Sequence, residues 1–451
     1  MKTKFIILLL LMINVAFSQG EANIWYFGYN AGLDFNSGNP VALTNGQLHT
    51  DEGCATLSNS SGQLLFYTDG ITVYNRNHQI MPNGSDLLGH PSSSQSATIV
   101  PKPNSNNLFY VFTIDYESHP NGFKYSVIDI NLDSGLGDVT TQKNISVYEP
   151  TLENIAITKH NNGIDYWIVT HGWDNNSFNA YLLTSTGLSS IPVTTNIGAT
   201  ITGIGFQEAG YMKIAPSGSK LAFTSVSDIV QLFDFNNSTG VLSNEITLLT
   251  EYGELYGIEF SPNENVLYVT NTFNKLYQFD LLASDIPNSK FTLYNGSKFL
   301  GALQLGPNYK IYLAVIGQNK LGIIKNPDVF GSGCNFIIDE IDLAGKISQS
   351  GLPSFNQSFF FSPSINVTSN CVGDPSVFNF VTNQTVVSAT WDFGDGSTST
   401  SLSPSHTYAN PGTYNVSVSV ITPFGTGTKN TTITIFAKPT LLADTVSLKQ
   451  C

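Results

Sequence analysis

A hairpin that recurs along most of the chain constrains the fold more than any other feature. The stretch "YGIEFSPNENVLYVTN", Tyr256 to Asn271, has relatives in "CATLSNSSGQLLFYTDG", "ATIVPKPNSNNLFYVFTID", "IAITKHNNGIDYWIVTHG", "MKIAPSGSKLAFTS" and "ALQLGPNYKIYLAV". Each is an apolar strand, a turn rich in Pro, Asn, Gly or Ser, and a second strand of branched and aromatic residues. Near the end of the second strand stand Thr68, Thr113, Thr170, Thr224 and Thr270, with Ala314 in the sixth copy, at separations of 45, 57, 54, 46 and 44 residues. A period of about 40–50 residues with several strands per copy is the signature of a β-propeller. Further strands such as "ITVYN", "KYSVIDI", "AYLLT", "VQLFDF" and "LYQFDL" give most copies three or four strands, enough for one blade.

Six copies alone would leave raw sheet edges, which closed architectures remove. The two ends of the repeat region offer a remedy. "WYFGYNAGLDFN", Trp25 to Asn36, resembles "FYTDGITVYN" and reads as middle and outer strands, whereas "GLPSFNQSFFF", Gly351 to Phe361, reads as an inner strand alone. Together they predict a seventh blade shared by both ends. Charged residues make up only 12% of the chain while Tyr and Phe number 20 and 29, a balance that favours strands, so the expected class is all-β.

The "WYFG…AGLDF" opening, the "EGCATLSNSSGQLLFYTDG" block and "GLPSFNQSFF" resemble the WD40-like propeller of secreted surface proteins of the Bacteroidetes phylum. From Ser362 the pattern changes. "WDFGDGSTSTSLSPSHTYANPGTYNVSVSVI", Trp391 to Ile421, resembles a PKD domain, an immunoglobulin-like β-sandwich. Trp391 and Phe393 share one face there, as do Tyr414, Val416, Val418 and Val420, and Asp395-Gly396 suits a tight turn. The expected order is a signal peptide at 1–18, a seven-bladed β-propeller at 19–361, a PKD domain at 362–437, and a linker or the start of a further module at 438–451. Proteins of the resembled kind continue into further modules and a type IX sorting domain. The chain is therefore read as a fragment, with export ending in periplasmic delivery as the alternative.

Lys2 and Lys4, the apolar run Phe5 to Val15, and Ala16-Phe17-Ser18 have the form of a secretory signal, too short for a span of roughly 20 residues. Removing residues 1–18 takes away two lysines and no acids, so the formal charge of −14 becomes −16. With Arg76 as the single arginine, no surface able to neutralise phosphates is expected, which excludes nucleic acid as a partner. Cys54, Cys334, Cys371 and Cys451 allow three full pairings, and Cys54 in "EGCATLS" reads as a buried thiol.

In a propeller the start of each innermost strand and the end of the next lie on one face. That face gathers Asp51, Glu52, Glu208, Glu254 and Tyr256 ahead of first strands, and Asp69, Asp115, Tyr116, Glu117, His171, Trp173, Asp174 and Asp228 after second strands. Rings that stack on sugars and carboxylates that accept hydroxyl protons point to an extracellular glycan, or a protein, as the ligand. Solvated loop ends that satisfy backbone donors are the competing reading. No cofactor is expected; calcium is the one ion these carboxylates suit, with Asp392 and Asp395 as metal candidates against a role as turn caps.

Catalysis finds little support. No two carboxylates are marked as a glycosidase pair, one arginine cannot hold a sialidase substrate, and HExxH, GxSxG and phosphate-loop motifs are missing. The expected product is a secreted, non-catalytic binding or adhesion protein of the cell surface with no membrane span after signal cleavage. A polysaccharide-acting enzyme with its site on the acidic face is the alternative.

Overall fold

The computed structural model describes residues 20–116, 120–202, 209–250, 254–360, 364–381, 386–422 and 425–438. The expected leader, and nearly all of the stretch expected to follow the second domain, lie outside the described residues. Gln19–Phe361 forms one compact unit, and the chain from Ser362 onward belongs to another.

The described residues of the first unit form a propeller-like succession of seven antiparallel sheets of three to five strands. Their leading strands are Ile24–Phe27, Ala55–Ser58, Ala97–Pro101, Thr151–Lys159, Met212–Ile214, Leu255–Phe260 and Leu300–Leu305. Leading and second strands are sealed on both faces, as in Leu255–Phe260 and Val266–Asn271, where every residue is buried. They therefore read as continuous apolar runs. Outer strands such as Val241–Thr250 expose most of their residues and read as mixed.

Two of the recurrent threonines, Thr224 and Thr270, have a shared structural role. The ladder of the sixth sheet shifts register between Leu255 and Ile258, which leaves backbone groups unpaired. Thr270 Oγ1 accepts the amide of Gly257 at 2.8 Å and donates to the carbonyl of Gly301, in the next sheet's leading strand, at 2.8 Å. Thr224 does the same one sheet earlier: it accepts from Tyr211 N at 2.9 Å and donates to the Tyr256 carbonyl. One hydroxyl thus satisfies a bulge and ties neighbouring sheets, which valine could not do. Sheets approach so closely here that a Cβ on Gly257 would lie 2.6 Å from the Gly301 carbonyl oxygen.

The first sheet meets the last. Trp25, fully buried, packs on Tyr312 at 5.4 Å, Phe35 at 4.9 Å and Phe355 at 5.8 Å between ring centroids. The segment around Ser350 threads between the second and seventh sheets: its amide donates to Asp51 O at 2.8 Å, its carbonyl accepts Ala302 N at 2.7 Å, and Ser354 N donates to Cys54 O at 2.8 Å. The expected inner strand at 351–361 is corrected in form. A single parallel bridge joins Pro353 to Cys54, and Gln357–Phe360 is a 3₁₀ turn. Pro353 has no amide proton to contribute to a ladder.

Where leading strands converge, Lys213, Glu259 and Gln304 stand side by side. Lys213 Nζ lies 3.2 Å from Glu259 Oε2 and donates to Gln304 Oε1, and Glu259 also accepts the amides of Phe260 and Leu305 at 3.0 Å. Both charged side chains are buried.

The second unit pairs Ser364–Val367, Pro375–Val381 and Ser405–Thr407 in one sheet, and Thr398–Ser399, Ser388–Asp392, Gly412–Thr422 and Gly425–Ile435 in another. Trp391, Phe393, Val416, Val418 and Val420 form its own core, with Tyr414 partly buried against it. Among the described residues no helix is long and apolar enough to cross a membrane.

Candidate functional site

The end of the first unit from which leading strands set out holds a cavity of about 490 Å³. Glu52, Glu254 and Tyr256 come to it from just before or within leading strands, Thr272 and Phe273 from the loop after Val266–Asn271, and Phe299 from just before Leu300–Leu305. Ala209, Val226, Ile316 and Ser350 complete the wall. The volume lies in the range of small-molecule sites, and the lining has the expected form of an apolar wall with a few polar groups.

Glu52 and Tyr256 form the polar floor. The Tyr256 hydroxyl donates to Glu52 Oε2 at 2.9 Å, and its ring meets Tyr211 edge-on at 5.2 Å. Behind them Glu153 is buried and accepts both the amide and the hydroxyl of Ser94 at 2.8 Å. Burial, and then the negative charge of Glu153, push the Glu52 carboxyl up to about 8. At neutral pH Glu52 holds its proton, the state of a carboxyl able to donate one. At Glu254, Thr272 Oγ1 donates to Oε2 at 2.7 Å, the amide donates to Asp228 Oδ1 at 3.3 Å, and no described residue donates to Oε1.

Of the residues singled out in the sequence, Glu52, Glu254 and Tyr256 share this cavity, and Asp228 touches its edge through Glu254. Asp51 is exposed and accepts the Tyr29 hydroxyl at 2.6 Å. Asp69 caps its own turn, accepting the amides of Ile71 and Thr72, and Asp115 accepts that of Tyr116. The Tyr116 ring stacks on His90 at 3.5 Å. His171 is buried between Phe178 and Phe223, and burial lowers it to about 4, so it stays neutral. Trp173 is half-buried against the same core, and Asp174 is exposed at a positive φ of 59°. Glu117 and Glu208 lie outside the described residues.

Asp392 and Asp395 cap turns in the second unit. Asp392 Oδ1 accepts Gly394 N at 2.9 Å and Asp395 Oδ1 accepts Ser397 N at 3.0 Å, while Asp395 Oδ2 pairs with His406 Nε2 at 2.8 Å. Among the described residues no three His, Cys, Asp or Glu side chains gather as a metal site. Cys54 and Cys334 are free and buried, and Cys371 is disulfide-bonded.

Sequence reasoning missed Thr272, Phe273 and Phe299. The rule that found Glu254 also covers them, since they follow a second strand or precede a first one.

Comparison with known proteins adds the following. A microbial collagenase of Vibrio alginolyticus is 50% identical over 56 residues, 12% of this chain and 7% of the collagenase, so the chain spans a small fraction of that relative. A putative 6-phosphogluconolactonase from Bacteroides uniformis superposes with a TM-score of 0.41 and 12% identity over 78% of this chain and 96% of that one. The periplasmic gluconolactonase of Pseudomonas aeruginosa gives 0.41 and 11% over 82% and 98%. The family model described as PKD domain matches residues 362–437, and that part of this all-β chain is a PKD domain.

Proposed function

We propose that this chain is an exported, non-catalytic binding protein of the cell surface: a seven-bladed propeller that takes an extracellular glycan at its acidic end, followed by a PKD domain acting as spacer or interaction module. The single observation that carries the reading is the cavity that brings Glu52, Glu254 and Tyr256 together with the rings of Phe273 and Phe299. Seven sheets and the joining of the first to the last support the blade count. The signal-like start and the resemblance to Bacteroidetes surface proteins support export by the type IX route. A glycan array probed with the secreted chain is the test. Saccharide hits lost in Tyr256→Ala support the reading, and a blank array sinks it.

A second reading, a polysaccharide-acting enzyme, is favoured by one feature: Glu52 keeps a proton to neutral pH in a cavity that also holds the Glu254 carboxylate, an acid and a base in one site. Digestion of the array hits separates the two. Release of shorter saccharides, lost in Glu52→Gln, would establish turnover.

A further inference from the structure

We propose that the cavity selects a cationic amino sugar, a saccharide bearing a free protonated amine, over its neutral and acidic counterparts; this rests on the binding reading above and names the ligand class of that site. The described lining residues include two carboxyl side chains and no Lys, Arg or His. Glu254 offers Oε1, to which no described residue donates, beside the apolar wall, so an ammonium placed there gains a charge-assisted hydrogen bond. Phe273 and Phe299 remain 45% and 55% exposed although both line the cavity. Exposed phenyl faces stack on the C–H face of a pyranose and also attract a cation through the ring quadrupole. Tyr256 adds a third aromatic wall, its hydroxyl already committed to Glu52.

The same features disfavour other sugars. A uronic acid or sulfated saccharide would bring an anion against Glu254 with no cationic side chain among the described lining residues to receive it. A neutral sugar would stack on the rings yet leave the carboxylate without a charged partner. The mature chain's formal charge of −16 raises the local concentration of cations and steers them inward.

The experiment is calorimetric titration of the secreted chain with two probes, a fully deacetylated glucosamine trimer and its N-acetylated counterpart, at about pH 6 where the sugar amine is charged. The expected result is about tenfold or greater preference for the deacetylated trimer. Glu254→Gln should cut that preference to about threefold or less, and Phe273→Ala should weaken both probes. If Glu254→Gln fails to fold, salt replaces it: raising ionic strength from about 0.05 to 0.5 M should weaken the cationic trimer and leave the acetylated one nearly unchanged. Equal or tighter binding of the acetylated trimer overturns charge selection and leaves the binding reading standing. If neither probe binds while the array yields another saccharide, the amino-sugar assignment alone fails. If neither probe binds and the array is blank, both fall.

Discussion

Glu52 carries a cost that the rest of the fold must absorb. Its carboxyl ordinarily titrates near 4.5 and is pushed up to about 8 by burial and by Glu153, so between those two values the folded chain holds a proton that the unfolded chain has released. Stability is therefore fully present below about pH 4.5 and falls as pH rises through 8. The expected loss is about 2–4 kcal/mol between pH 5 and 9, with Glu52→Gln flattening the profile and gaining most at the alkaline end. Thermal melts across that range check it, and an unchanged slope in the variant sinks it. The position of Glu52 at the start of a leading strand was legible in the sequence, and so were Glu254 and Tyr256. Its protonation was not, because it follows from burial in the assembled unit and from the charge of Glu153, which arrives on the leading strand of the fourth sheet. Asp69 and Asp115 looked equivalent to Glu52 in the sequence and instead serve their own turns.

Between elements, the instructive case is the Lys213–Glu259 pair, which joins the leading strands of the fifth and sixth sheets with Gln304 from the seventh. Two charges taken out of water are held only by each other and by local hydrogen bonds, so removing one leaves the other stranded. Lys213→Met is expected to cost about 3–5 kcal/mol, and the double change Lys213→Met with Glu259→Leu distinctly less. Denaturant unfolding of the four chains tests this; an additive double variant would refute mutual dependence. Hairpins were legible because strand, turn and threonine recur together, and at Thr224 and Thr270 the threonine proves to be a tie between consecutive sheets. The segment from Gly351 to Phe360 was legible as a position but not as a conformation. A Cβ on Gly351 would lie 1.9 Å from the Glu52 carbonyl oxygen, a crowding that belongs to the assembled ring and leaves no mark on local pattern.

For the molecule as a whole, the two units carry separate hydrophobic clusters, with Trp25 a member of one in the first unit and Trp391 a member of the second unit's own. Trp391→Ala is expected to cost its own unit about 3–5 kcal/mol and to lower only one of two calorimetric transitions. Trp25→Ala should lower the other by a similar amount; a shift of both peaks by either change would contradict separate cores. The order of the two units was legible from a change of pattern near Ser362, whereas the filling of the seam around Trp25 required coordinates. That seam also governs time. The ribbon carrying Ser350 to Phe355 leaves the ribosome long after Ile24–Phe27 has emerged, and the two must find each other across nearly the whole length of the unit. Encounters so distant in sequence are slow. A newly made copy waits with its first sheet unsealed, open to proteases and to other copies, until its latest ribbon arrives.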